Sequence, residues 1–256
     1  MRWSWLSTLP SMLWEQASQR ETGRIWYQSF TDPAVDSAYF SRLDGYLRSV
    51  SGAGSERAGY DAFVIGHFQE PGLAEARSAI GIPVIGLGEA AMLHALTLGR
   101  RIGLVTINPV FIPYHQDQIA RHGLQQRVVA VAALAAEVAQ LNRAFDDERE
   151  YARLRDALLD QAGPMLDSGV DVIIPAGGYP MLLFAREIGF TIGGATVLNG
   201  LPVTIAAAET AIRLRRLNGT CTSRRASYAL PSSEAVADFG RVFTSADPAG
   251  ETAPSG

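Results

Sequence analysis

The chain has 256 residues, 47% of them hydrophobic and 19% charged, enough to bury an ordinary core in one α/β domain or two small ones. Its formal net charge of -4 argues against a nucleic-acid surface, which calls for a basic patch or a high pI. All 22 basic residues are arginines, excluding Schiff-base chemistry by a lysine, and the single cysteine excludes a disulfide framework or a cysteine-based zinc site and fits a cytoplasmic setting.

In chain order, residues 1–22 read as a loose N-terminal extension. Met1–Trp14 carries Arg2 and scattered Trp, Leu and Met, but Ser and Pro interrupt it and no small-x-small cleavage site follows. It falls short of the roughly 18–20 continuous apolar residues of a membrane span, so no membrane role is expected. A first α/β lobe is expected over residues 23–99. It has a strand at Arg24–Phe30, a turn at Thr31-Asp32-Pro33 and a helix through Val50. A strand at Ala62–Gly66, a helix at Pro71–Ala79, a strand at Pro83–Leu87 and a helix at Glu89–Leu98 complete it. A second lobe, residues 100–217, restarts the pattern. Strands are expected at Arg101–Ile107 and Arg127–Ala132, with a helix from Pro109 to His122 between them. A long helical stretch at Ala144–Leu166, a strand at Val170–Pro175 and a helix at Pro180–Glu187 follow. A strand at Pro202–Ile205 and a helix at Ala207–Leu217 close the lobe. Such alternation predicts parallel sheets covered by helices. Residues 218–256 read as a tail, disordered by composition from Thr244 onward.

Two segments repeat. Asp61-Ala-Phe-Val-Ile-Gly-His67 runs into Pro71 and Arg77, and Asp171-Val-Ile-Ile-Pro-Ala176 runs into Pro180 and Arg186. Each is a buried apolar run breaking into a turn and then a helix, the corner where α/β proteins place ligands. Aligning the prolines and arginines sets His67 against Ala176. The halves differ in length: Pro109 to Asp171 spans 62 residues, and Pro33 to Asp61 only 28. The first half is therefore shorter by about one strand and one helix, with a flexible Ser49–Ser55 linker in their place.

Tyr60-Asp-Ala-Phe-Val-Ile-Gly, the Pro71-Gly-Leu turn, Ile82-Pro-Val-Ile-Gly-Leu-Gly-Glu-Ala-Ala91, Gly103-Leu-Val-Thr106 and Val170-Asp-Val-Ile-Ile-Pro resemble the aspartate/glutamate/hydantoin racemase superfamily, most closely its hydantoin racemase-like branch. The resemblance covers about Gly23 to Arg216. It implies two pseudo-symmetric parallel-sheet lobes facing each other across a substrate cleft, with no cofactor. It also implies two opposed cysteines that pass a proton between the faces of a stereocentre. Here those two positions hold His67 and Ala176, and Cys221 lies beyond the last core helix.

His67 is the candidate proton-transfer group, because an imidazole with an ordinary pKa of about 6.5 suits exchange near neutrality. Its alternative is a histidine that only holds its loop. Glu70 is the second catalytic candidate, orienting His67 or acting as the acid, or else a carboxylate at a helix N-terminus. Thr106 and Asn108 are candidate holders of a substrate carboxylate, or simply caps of the next helix. Gly177 and Gly178 bring backbone N–H groups to a helix start that favours an anion, with Tyr179 as a further donor, or form a plain tight turn. His115 is a weaker counterpart to His67, His94 and His122 read as structural, and the four scattered histidines give no metal signal. The functional expectation is a cofactor-independent racemase or isomerase. It acts on a small-molecule substrate at a carbon beside a carbonyl, with a homo-oligomer left open. The alternatives are a decarboxylase, lyase or hydrolase on the same scaffold, and a non-catalytic binding relative.

Overall fold

A computed structural model of the chain describes residues 14–20, 23–29, 55–232 and 234–235. The helix expected before Val50, the linker up to residue 54 and the tail beyond Thr244 lie outside these residues. The described strands form two sheets. The first contains β1 (Trp14–Arg20), β2 (Gly23–Ser29), β3 (Ala62–Ile65) and β4 (Val84–Gly86), in that order. β2, β3 and β4 are parallel, and β1 runs antiparallel to β2. The second contains β5 (Ile102–Thr106), β6 (Val128–Ala133), β7 (Val172–Ala176), β8 (Thr191–Ile192) and β9 (Ala195–Val197), in the order β6-β5-β7-β9-β8. All its pairings are parallel except the β8–β9 hairpin.

The orders superpose: β2, β3 and β4 hold the places that β5, β7 and β9 hold in the second sheet. The place of β6 is taken in the first sheet by β1. This corrects the reading of residues 1–22 as a loose extension, since Trp14–Arg20 supplies an edge strand where the shorter half lacks one.

The helices are α1 (Leu73–Ala79), α2 (Leu87–Ala95), α3 (Ile112–Arg121), α4 (Val138–Arg143), α5 (Glu148–Asp167), α6 (Gly178–Phe184) and α7 (Gly200–Asn218). Period-two alternation divides the strand side chains between two faces. Phe63 and Ile65 pack with Leu73 and Ala76 of α1, whereas Ala62 and Val64 pack with Ala208 and Ile212 of α7. In the second sheet Val105 and Ile173 face Leu154, Leu158, Ala162 and Met165 of α5. Leu104, Val172 and Ile174 face Leu87, Ala91 and Met92 of α2. Strands covered on both sides read as continuous apolar runs, which is why β3, β5 and β7 stand out in the sequence.

The last helix of each half thus crosses to the sheet of the other. The expected strand at Pro202–Ile205 is instead the first turn of α7. Asn199 Oδ1 caps it by accepting from Leu201 N at 3.0 Å, and a proline so near a helix start leaves no hydrogen bond unmade. The expected helix at Ala144–Leu166 is α5, which starts four residues later at Glu148, and α4, opened by a Glu137/Gln140 capping box, is a further helix before it.

Candidate active site at the ends of β3, β5 and β7

The C-terminal strand ends carry the residues that the repeat singles out. β3 runs through Gly66 into His67, which is half-buried, and then Phe68, which is buried. β7 ends at Ala176, whose register neighbour on β5 is Thr106. Ala176 and Phe68 belong to one hydrophobic cluster with Met181 and Leu198, so the first loop reaches the end of the second sheet.

A buried polar chain lies behind these ends. The carboxamide of Gln118 donates from Nε2 to Phe68 O at 2.5 Å and to Glu70 Oε2 at 3.0 Å. Both partners only accept, which orients the amide and leaves Gln118 Oε1 facing His115 Nδ1 at 3.4 Å. Burial pushes the His115 imidazole down to about 4, so it is neutral, with its proton on Nδ1 and a lone pair on Nε2. Thr106 Oγ1, 3.0 Å from Nε2, therefore donates to His115. Its hydroxyl proton is committed inward, and only its lone pairs remain for anything else.

Glu70 is buried, with its backbone in the left-handed region at φ 57. Its Oε1 accepts from Glu89 N at the start of α2 at 2.5 Å, and Oε2 accepts from His122 Nε2 at 2.9 Å besides Gln118. The carboxylate joins the loop, α2 and α3. It serves a helix N-terminus, but that of α2 and not of the helix that follows it in sequence. Arg77 extends the chain by pairing with Glu89.

Asn108 Oδ1 accepts from Val110 N at 3.0 Å and caps the 3-10 turn Pro109–Phe111, leaving its NH2 as donor. Gly177 and Gly178 form the entry to α6, with Gly177 O accepting from Met181 N at 3.1 Å. The Tyr179 ring lies 6.5 Å from that of Phe145. A separate cavity of about 360 Å³ opens between α6 and β9, lined by Met181, Phe184, Glu187, Phe190 and Val197 among others. His94 and Cys221 are exposed. Among the described residues no group of three or more His, Cys, Asp or Glu is placed to hold a metal ion. No described helix is long and apolar enough to cross a membrane.

Residues 24–208 match the model of the Asp/Glu/hydantoin racemase family. The chain belongs to this family. Among its relatives, the hydantoin racemase of Rhizobium meliloti is 30% identical over 183 residues, 71% of each chain. That of Pseudomonas sp. strain NS671 is 27% identical over 237 residues, 90% of each chain. The structure of allantoin racemase from Klebsiella pneumoniae shares the fold, with a TM-score of 0.65 at 22% identity over 78% of this chain and 77% of that one. Membership of the racemase family supports a function of the racemase or isomerase type.

Gln118 and His122 escape a reading that looks for residues at strand ends. Their signal is spacing: His115, Gln118 and His122 fall at i, i+3 and i+7, one face of a helix, turned to the loop of the other half.

Proposed function

We propose that this family member is a cofactor-independent racemase of hydantoin-type substrates that works by proton transfer through His67 and not through a pair of thiols. The observation that carries the reading is the asymmetry of the two strand ends, an imidazole after β3 and the methyl group of Ala176 ending β7. The two hydantoin racemase relatives support the substrate class.

The ring carbon of a 5-substituted hydantoin lies beside a carbonyl, so its C–H is acidified. Neutral His67 takes that proton as the C–H electron pair passes into the carbonyl, giving a planar enolate, and the imidazolium returns it. On the face beside Ala176 the returning proton comes from water, and the hydroxide so formed takes the proton of the His67 imidazolium, which restores the neutral base. In this account the backbone N–H groups of Gly178 and Tyr179 and the Asn108 NH2 serve the developing oxyanion. Glu70 holds the loop that carries His67. The polarity of Thr106 favours the hydantoin ring over a free carboxylate. An oxygen that has only lone pairs to offer suits a ring N–H and repels an acceptor-only anion.

The test is the optical rotation of a single-enantiomer 5-substituted hydantoin with the wild-type protein and with His67→Ala. The proposal expects rotation to decay to zero with the wild type, product mass unchanged, and decay at the buffer rate with the variant. A change of mass would indicate a lyase or hydrolase, and wild-type decay at the buffer rate would refute the assignment.

A further inference from the structure

We propose that Gln118 is the positioning residue that sets His67 against the second sheet, an inference resting on the reading of His67 as the proton-transfer group. Three consecutive residues after His67 are held from α3, which belongs to the other half of the chain. The Phe68 carbonyl accepts from Gln118 Nε2, and its ring meets His115 edge-on at 5.3 Å and 74°. Gln69 O accepts from Arg121 Nη2 at 3.4 Å. The Glu70 carboxylate accepts from Gln118 and from His122. The loop itself is a turn closed on the residue in question, Glu70 N donating to His67 O at 3.1 Å.

Gln118 is the only one of these residues whose single NH2 group joins both ends of that turn. One hydrogen satisfies the residue after His67, and the other satisfies the carboxylate whose backbone donates to the His67 carbonyl. Left-handed backbone at a glutamate is unfavourable and persists only where its surroundings over-determine it. The carboxylate's bonds to Glu89 N, Gln118 and His122 supply that constraint. On its other side the same carboxamide orients His115 and, through it, Thr106, which ends β5 beside Ala176. One side chain therefore ties the position of His67 to the strand ends of the second sheet, and Gly88 packs directly against it. A Cβ on Gly88 would stand 2.2 Å from Gln118 Nε2 and 2.3 Å from Phe68 O.

The test uses the full chain with Gln118→Leu, which keeps bulk and removes both donors. The chain has only four histidines, so each ring signal is assigned by NMR from its own replacement, and exposed His94 serves as internal reference. In Gln118→Leu the ring signals of His67 and its titration midpoint move, while those of His94 stay. In the hydantoin assay kcat falls by roughly 10²-fold, the loss expected from misplacing a catalytic group by about 1 Å, with KM within about twofold of wild type. Unchanged His67 signals and titration overturn the proposal, as does a loss confined to KM. Should Gln118→Leu fail to fold, Gln118→Asn, which withdraws the same carboxamide by one methylene, is read in the same way. If His67→Ala retains activity, the catalytic reading falls by itself, and the NMR arm still decides whether Gln118 positions the ring.

Discussion

Thr106 Oγ1 and His115 Nε2 lie 3.0 Å apart in a region closed to solvent, and the imidazole there is neutral. Burial lowers its pKa from 6.5 to about 4, so the folded chain stays unprotonated while the unfolded chain takes up a proton as pH falls through 6.5. The contribution is complete above pH 6.5, is lost as pH falls toward 4, and changes no further below that. Its size is roughly 3 kcal/mol. Urea unfolding across this range is expected to show that slope in the wild type and a flatter one in His115→Gln. Parallel profiles would count against a neutral buried His115.

Close contact at the loop predicts a sharp difference between two glycines. Gly88→Ala drives a methyl group into Gln118 and the Phe68 carbonyl, and an overpacked site of this kind loses about 2–3 kcal/mol. Gly163→Ala, within α5 and meeting nothing within 4 Å apart from its chain neighbours, gains helix propensity but sets a Cβ against the ring of Pro164, and stays within about 0.5 kcal/mol of wild type. Melting temperatures of the two variants check the difference.

Residues 14–20 cover the outer edge of β2, so deleting residues 1–22 bares that edge. Hydrogen exchange should then quicken in β3 and β4 while β5 and β7 keep their protection. Equal acceleration in both sheets would mean that β1 supports the molecule in some other way.

Much of this architecture is legible in the chain because the strands β3, β5 and β7 are buried on both faces and carry no polar side chain apart from Thr106 at the end of β5. What the sequence hides has physical causes. β1, Trp-Glu-Gln-Ala-Ser-Gln-Arg, has no apolar alternation, because its place is settled by pairing with β2. Pro202 marks a first helical turn here but resembles Pro83 before β4, and the capping Asn199 tells them apart. The β8–β9 hairpin did carry a signal. Gly193-Gly194, with φ of 56° and 87°, is a two-residue turn of the kind that right-twisted strands require. At the site, His67 could be found by position alone. Gln118 gains its meaning only when α3 is set against a loop 48 residues away.

A single base predicts a stereochemical signature. In the proposed mechanism His67 removes a proton, exchanges it with solvent and returns it to the same face, whereas inversion needs water beside Ala176. Deuterium uptake is therefore expected to run several-fold faster than loss of optical rotation, a difference of about 1 kcal/mol between the two proton-delivery barriers. Ala176→Cys, which places a thiol at the second strand end, should narrow that ratio. Equal rates in the wild type would point to a second proton-transfer group.

The most direct test follows the α-proton signal of 5-substituted hydantoins in D2O by NMR, with wild type and His67→Ala at matched concentrations. The account predicts signal loss well above the buffer blank for the wild type and none above it for the variant. Undiminished exchange in a folded His67→Ala protein would contradict it.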